Sequence, residues 1–441
     1  MALGNVIMTD SDGNIGNRAT FVSDEICGLL FDISGQTDFW TKGAGLALSS
    51  VLKDKVIELN TLEDAVKLGI TGHTGDDVDT AELLSGIPYY HIKTFFNLNS
   101  DSGRLFVAFA DCSADWNALI NMSKASHGLI SQFGVWTEQK LWKQTAPDAA
   151  VYAVNIVAQL ESVAVTLARD YNSPASIIVS PNTSRVGGAD DESKVVFSKM
   201  PSVIKDARYV SVALSQDNSV KVRNMQASLT STTPVGIIGG ILGCLAKASV
   251  HECIGWVDQF EISGYYADIE FGFGDSTISA TTHQLTSSTA YDSLAKSQLD
   301  TLQEQGYIFL CKYSGLEGNV YFSGDTTCDD GDYCTIARNR TIDKSRRAVR
   351  IALLPYVNSP IYVDPATGQL STADITIFTN IITEILTAMK DAKEISGIGK
   401  IVIPARQNIL QNDTLILSYS IVPVWTAREI QVTEGLAISQ A

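Results

Sequence analysis

The chain alternates between short apolar runs and longer stretches in which apolar residues recur every three or four positions. Residues Ile26 to Ile33 form an almost unbroken apolar run, the pattern of a strand buried on both faces. Arg104 to Asp111 is a second strong strand and ends in an acid. Shorter strands are expected at Ile130–Trp136, Ala175–Ser180, Tyr209–Leu214 and Tyr307–Cys311. Between them lie helical segments. Thr61 to Leu68 opens on a capping threonine, and Tyr89 to Asn97 follows. Ala146 to Arg169 carries Pro147 near its start, and Ser293 to Gln305 stops at Gly306. Another helix is expected from Pro234, capped by Thr232 and Thr233. Its Gly236, Gly240 and Cys244 fall at i, i+4 and i+8, a spacing that lets a neighbouring element come close. Strands alternating with helices predict a mixed α/β (α+β) fold with a partly parallel sheet.

The last quarter is organised differently. Arg338, Arg340, Lys344, Arg346, Arg347 and Arg350 form the one basic concentration of the chain, on a helix-like run. Three readings stand side by side: a solvated face, a phosphate site, or a contact with the acidic surface of another copy. A long amphipathic helix follows, from Ser371 to Ile395. Ile375, Phe378, Ile382, Ile385, Met389 and Ala392 make its apolar stripe. Ser371 is placed to cap it, with Asp374 near the positive helix end. Thr379, Thr383, Thr387, Lys390, Asp391 and Glu394 form the polar face, and Gly397 and Gly399 are expected to end the helix. Thr414 to Val424 then alternates as a strand that would complete the core sheet. The tail, Arg428 to Glu434, puts Ile430 and Val432 on one face and Glu429, Gln431 and Thr433 on the other. A short strand is also expected at residues 4–10, around Val6, Ile7 and Met8. Terminal strands of this kind satisfy their backbone by adding to a sheet edge, in their own subunit or a neighbour. That points to an assembling structural protein.

Composition narrows the picture. Of 441 residues, 45% are hydrophobic and only 18% charged, which favours extensive burial in cores or interfaces. The net charge of −17 makes nucleic acid and acidic membranes poor partners. The longest apolar candidate for a membrane span, Pro234 to Ala246, stops well short of the roughly 20 residues needed. No basic n-region precedes an apolar stretch at the N-terminus, so export through a signal peptide is not expected. Seven scattered cysteines fit reduced thiols. Cys328 and Cys334 offer a loop disulfide or a metal site as an alternative.

Motifs for chemistry are sparse. The sequence has no phosphate-binding loop, no Gly-x-Ser-x-Gly, no Cys-x-x-Cys and no His-Glu-x-x-His. Asp10, Asp12 and Asn14 imitate a calcium loop, but Gly13 falls at the wrong position. His251, Glu252 and Cys253 would make only part of a metal site. The pairs Asp76-Asp77, Asp190-Asp191 and Asp329-Asp330 read as solvated turn acids. No catalytic residue, cofactor or metal is expected. The rival reading is an α/β enzyme or ligand-binding protein built on the middle region.

The order of elements carries a resemblance. Asp64 to Gly69, Tyr90 to Asn97 and Arg104 to Phe109 give a helix ending in Leu-Gly, a Phe-rich helix and a strand. Leu299 to Phe309, Ala337 to Thr341, Ser345 to Val349 and Leu417 to Ile430 continue the series near the other end. In this order the chain resembles contractile tail sheath proteins of phages and related injection machines, most closely a sheath-like group formerly of unknown function. The resemblance covers both ends and is weak across residues 112–257. It departs at Gly324 to Cys334, where many sheaths have Trp-Gly.

The resemblance implies a multi-domain subunit with a C-terminal α/β core and extended strand arms at both ends. Its segments would be an N-terminal arm (1–20), an N-terminal α/β region (21–111), a middle region (112–257), a C-terminal core (258–426) and a C-terminal arm (427–441). It implies a non-enzymatic subunit that polymerises helically around an inner tube and contracts to drive the tube through a target envelope. Partners would be copies of itself, the inner tube protein, and baseplate and tail terminator proteins, with no nucleic acid and no membrane insertion. Assembly would take place in the bacterial host cytoplasm, into a virion tail or an injection particle. Subunit contacts would come from Val6, Ile7, Met8, Glu429, Ile430, Gln431, Val432, Thr433, Arg346, Arg347 and Arg350. Thr383, Thr387, Lys390, Asp391 and Glu394 would face the tube.

Overall fold

The computed structural model describes residues 24–34, 52–70, 86–99, 103–141, 144–146, 149–152, 155–182, 201–214, 216–217, 219, 222, 235–266, 269–271, 289–316, 319–364, 369–407 and 414–434. Within them, a seven-stranded sheet forms the centre. Its strands are β1 (Cys27–Asp32), β2 (Val56–Leu59), β3 (Leu105–Ala110), β4 (Gln132–Lys140), β7 (Ser176–Asn182), β8 (Val210–Ala213) and β12 (Tyr307–Ile308). Their spatial order is β12-β8-β7-β4-β1-β3-β2, and all neighbours run parallel except β2 against β3. Every residue of β1 and β3 is buried. That burial explains their unbroken apolar sequence, since a parallel sheet is covered on both faces.

Alternation along each strand feeds two separate cores. Leu29, Phe31, Val107, Phe109 and Trp136 point to one side. There they meet α2 (Gly86–Leu98) and α5 (Ile238–Lys247), through Ile92, Phe95, Ile238 and Leu242. Leu30, Phe106, Phe133, Val135, Ile177 and Val179 point to the other. They meet α3 (Asn117–Ala125) and α4 (Asn155–Arg169), through Leu119, Met122 and Leu160. Burial of each large side chain is worth about 1.5–3 kcal/mol. Phe31 also stacks on Phe109 with ring centroids 5.3 Å apart.

The α2–α5 contact depends on glycine. A Cβ on Gly239 would lie 2.3 Å from the His91 carbonyl oxygen, and one on Gly243 2.8 Å from Leu98 Cβ. His91 locks the pair: its Nδ1 accepts from the Gly239 amide at 3.3 Å, and its Nε2 lies 2.8 Å from the Val235 carbonyl. The neutral tautomer with its proton on Nε2 satisfies both bonds, and burial pushes the imidazole down to about 4.

A second unit lies in the C-terminal part. It comprises α7 (Ile336–Leu353), α8 (Thr372–Asp391) and a hairpin of β15 (Ile395–Val402) and β16 (Ser418–Pro423). Val349, Ile382, Leu386, Met389 and Ile395 are its buried centre, with Ile398, Tyr419 and Ile421 packed against them. Ser371 caps α8 as expected, accepting from the Asp374 amide. The remaining elements are small: α1 (Leu62–Lys67), α6 (Lys296–Glu304) and a three-stranded sheet of β9 (Gln216–Asp217), β10 (Ile269–Phe271) and β11 (Thr289–Ala290). Thr61 and Asp64 close a capping box on α1.

Several expectations are corrected. Strand β5 (Gln144–Ala146) pairs antiparallel with β6 (Ala149–Tyr152), and α4 begins only at Asn155. The residue before a proline avoids the helical region, and Ala146 precedes Pro147. Helix α5 starts at Ile238 without a side-chain cap, because Gly236 at φ +77 takes the backbone out of the helical path. Gly397 and Gly399 lie within β15; Lys393, at φ 61, ends the turn after α8. Among the described residues, the strand near the C-terminus does not join the main sheet but pairs with β15 alone. Tyr307 to Cys311 splits between β12 and β13 (Leu310–Cys311), and β13 pairs with β14 (Tyr321–Phe322). The apolar stripe of α8 includes Leu386, whereas Ala392 is exposed. The main sheet draws strands from residues 21–111, 112–257 and 258–426 alike, so boundaries at 111 and 257 do not separate cores.

The glycine contact gives a direct test. Gly239→Ala should destabilise the subunit by about 2–3 kcal/mol, since the clash is with backbone that cannot turn aside. Gly264→Ala, where nothing lies within 4 Å, should leave the denaturant midpoint nearly unchanged. Equal midpoints for the two variants would contradict the packing.

Candidate assembly surfaces

Helix α7 takes its basic residues into the protein. Arg340 and Arg347 are buried, and Lys344 is half-buried. Arg340 Nη2 donates to the Ala248 carbonyl at 3.0 Å. Arg347 donates to the Pro174 carbonyl at 2.9 Å and to Asp24 Oδ1 at 2.8 Å. Lys344 bridges Asp24, at 2.8 Å, and Glu394. Burial alone would lower the Lys344 ammonium, but the two carboxylates outweigh it and hold the group above its ordinary value. Arg346 and Arg350 are exposed. Arg346 lies 3.4 Å from the Tyr209 hydroxyl and 4.0 Å from Asp343.

This arrangement redraws the expected contacts. Arg347 is spent inside the subunit, because its guanidinium already faces a carboxylate and a carbonyl. Of the basic residues offered for subunit contact, only Arg346 and Arg350 reach the surface. Glu394 is likewise turned inward onto Lys344, with 13% of its side chain exposed, so it is not free to face a tube. Thr383, Lys390 and Asp391 are exposed on α8, and Thr387 is half-buried. Val6, Ile7 and Met8 lie outside the described residues.

The tail belongs to no helix or strand of the described residues. Ile430 and Val432 are 81% and 82% exposed, and Glu429, Gln431 and Thr433 are exposed beside them. Its root is held, however. The Arg338 guanidinium stacks on the Trp425 ring at 4.0 Å, and Arg428 lies 3.9 Å from the buried Asp325. Asp325 in turn accepts the Ala337 amide at 3.0 Å, at the start of α7. A small cleft between α7 and residues 423–428 is lined by these arginines, and of its lining only His251 comes from the middle region.

Groups considered for chemistry are engaged locally. Glu252 accepts the Ser249 amide, and Cys253 accepts the Gly255 amide. Cys328 and Cys334 are free thiols, so the loop disulfide is not formed. The carboxylates of Asp206, Asp329 and Asp330 gather at the surface of loops. Asp76, Asp77, Asp190, Asp191, His73 and His283 lie outside the described residues.

In open parallel sheets, ligands bind where the strand order reverses, at the carboxyl ends of the strands. Here the order reverses at β1, whose last residue is Asp32. Asp32 is fully buried and accepts from the Ser34 amide and hydroxyl, the Cys112 amide, Thr137 Oγ1 and Gln139 Nε2. A carboxylate offers about four lone-pair sites, so the chain itself occupies this one. Among the described residues no helix is long and apolar enough to cross a membrane.

Asp343 of α7 is buried, and Glu161 of α4 is half-buried and accepts the Tyr209 amide at 3.0 Å. Burial pushes Asp343 up to about 6 and Glu161 up to about 7, against the pull of Arg208 on both. For an acid raised on folding, the native state holds more protons than the unfolded state between the two pKa values. Its contribution is therefore most favourable below the unfolded value and is lost as pH rises to the folded one. Asp343→Asn should remove this dependence. The stability of the variant relative to the parent should rise between about pH 4 and pH 6 and then level off. A flat difference across that window, from urea melts at each pH, would contradict the assignment.

Comparison with known proteins agrees with this architecture. Residues 44–326 match the family model described as DUF2586, N-terminal domain, and residues 332–441 match that described as DUF2586, C-terminal domain. No protein of curated function matches. A chain from the cryo-EM structure of the anti-feeding prophage baseplate, 6-fold symmetrised, is similar at a TM-score of 0.56 and 12% identity, over 99% of both chains. A chain from an extracellular contractile injection system, the PVC sheath complex in its contracted state, is similar at 0.55 and 8%, again over 99% of both. A chain from the anti-feeding prophage helical sheath in its contracted state is similar at 0.53 and 12%, with the same coverage. The mixed α/β fold is thus shared from end to end with chains of contractile machines. The two family models meet between residues 326 and 332, just ahead of α7, and together they place the chain in the DUF2586 family.

Proposed function

We propose that the protein is a non-enzymatic subunit of a contractile tail sheath. Copies stack helically around an inner tube, and contraction drives the tube through a target envelope. The observation that carries this reading is the likeness to sheath chains over 99% of both lengths. A fold shared from end to end accounts for the C-terminal unit and the tail root, which a generic α/β enzyme has no need of.

The unpaired tail supports the same reading. A segment with two exposed apolar residues in alternation gains main-chain hydrogen bonds and two anchors by joining a sheet edge. The β15–β16 hairpin offers such edges, since among the described residues each strand has a single neighbour. Residues 429–433 of one copy then pair with the hairpin of the next. Val6, Ile7 and Met8 add from the other end, and Arg346 and Arg350 meet acidic surface of a neighbour. Head-to-tail contacts of this kind do not close on themselves and so generate a filament. The face of α8 that bears Thr383, Thr387, Lys390 and Asp391 is turned to the tube. Contraction is a rigid-body rearrangement from a long state to a shorter, more stable one. Baseplate and tail terminator proteins contact the ends of the polymer. Assembly takes place in the host cytoplasm, without nucleic acid, cofactor or membrane insertion.

Negative-stain microscopy of the purified chain, alone and with its tube protein, tests the reading. Ordered tubes or stacked rings are expected. Deleting everything after Ala427 should leave a folded subunit, because the third core closes without the tail. Polymerisation should be lost or strongly weakened. Ile430→Pro should act nearly as strongly, since it removes a ladder donor. Normal tubes from the truncated chain would exclude the tail as the tether.

A further inference from the structure

Both described ends of the chain are rooted on one helix. At the N-terminal side, Asp24 is the first described residue, and its carboxylate is shared between Lys344 and Arg347 of α7, each at 2.8 Å. At the C-terminal side, Trp425 stacks on Arg338 of α7, and Arg428 faces Asp325, which holds the first turn of α7 through the Ala337 amide. Arg338 lies six residues before Lys344 and nine before Arg347, about 9 Å and 14 Å along the helix axis. The roots therefore flank a single rigid rod. Both large cores are built mainly from residues between Asp24 and the start of α7, off this path.

We infer that α7 is a strut: tension between the two arms of a subunit enters it through Asp24 at one end and Trp425 and Arg428 at the other, and bypasses the seven-stranded sheet. The source of the tension rests on the sheath reading; the load path does not. Without these contacts the next element in line at the N-terminal side is β1, and at the C-terminal side β16. A competing anchor exists. The Asp24 carbonyl accepts from Ser131 Oγ at 3.1 Å and Gln132 Nε2 at 3.2 Å, and these lead into the sheet. They are neutral hydrogen bonds. The two pairs to α7 are charge-assisted, shorter and only slightly exposed, and such bonds are about twice as strong. The C-terminal root is reinforced from behind, because the Tyr419 hydroxyl of β16 lies 3.2 Å from Ser345 Oγ of α7.

Pulling single full-length monomers by their two ends tests this directly. In the parent the first event should release α7 and its hairpin while both large cores stay folded. Asp24→Asn should lower the first rupture force by about twofold, because the load then passes to neutral bonds. Trp425→Ala, at a side chain 69% exposed, should also lower it with little change in the chemical unfolding midpoint. Elements in series fail at the weakest link, so the double variant should rupture no lower than the weaker single one. Should Asp24→Asn fail to fold, Trp425→Ala decides alone. Unchanged rupture forces, additive losses, or the main sheet opening first in the parent would overturn the strut. Monomers that obey it while the parent forms no tubes would refute the sheath reading instead.

Discussion

Of the six basic residues on one helix, α7, Arg340, Lys344 and Arg347 have to be neutralised inside an acidic protein, and the way this is done ties the molecule together. A buried charge is tolerated only when paired and hydrogen-bonded; removing one partner of such a pair costs about 3–5 kcal/mol. The partners come from far apart. Asp24 precedes β1, Glu394 immediately precedes β15, and the carbonyls of Pro174 and Ala248 flank the ends of other elements. Because each neutralises α7, the segment before the sheet, the sheet itself and the C-terminal hairpin all close on the same rod. Arg208 extends the network: its guanidinium lies over the rings of Tyr209 and Tyr333 and 3.8 Å from Asp343. Apolar packing builds each unit, but the charges on α7 set how the units meet.

The sheet has the architecture of a ligand-binding fold without one of its usual consequences. Its strand order reverses at β1, where open parallel sheets present a crevice. The carboxylate at that place is consumed by backbone amides and side chains of its own chain. A group so fully engaged rigidifies the strand ends rather than greeting a substrate. A block of this kind, with helices on both faces and a glycine-dependent helix pair on one, transmits displacement as a unit. The proposed rigid-body contraction requires that property, because a compliant subunit would absorb the movement internally.

Much of this was legible in the sequence, for identifiable reasons. The unbroken apolar runs of β1 and β3 could only be doubly covered strands. The Ser371 cap and the three-four spacing of α8 marked that helix correctly, although Leu386 was missed from its stripe. The β5–β6 pairing is hidden in the sequence because its short strands lack strong alternation. The threonine pair before Pro234 imitates a cap, but the positive φ of Gly236 sets the start of α5 at Ile238. On α7 the signal was present but unread. Arg340, Lys344 and Arg347 follow helical spacing and share a face, whereas Arg346 and Arg350 lie away from it. Charges repeating on a face can mean burial against acids as well as solvation. What no local pattern contains is the partner: Asp24 lies 323 residues from Arg347. Local pattern alone therefore places Arg347 and Glu394 on outer surfaces, whereas each faces inward.

The tail poses the opposite problem, since two apolar side chains are left in water. An exposed, strand-forming segment is an aggregation hazard unless something restrains it. Here the restraint is charge and length. Glu429 and Glu434 bracket Ile430 and Val432, and the whole chain carries −17. Two copies meeting by their tails alone would bring like charges together over very few backbone hydrogen bonds. The same tail meeting a prepared edge, whose own residues are fixed by a core, loses less conformational entropy per bond formed. In the proposed assembly, discrimination between clumping and ordered addition needs no recognition motif. It follows from a short apolar pair, set among acids, whose root is pinned to α7 so that it leaves the subunit in one place.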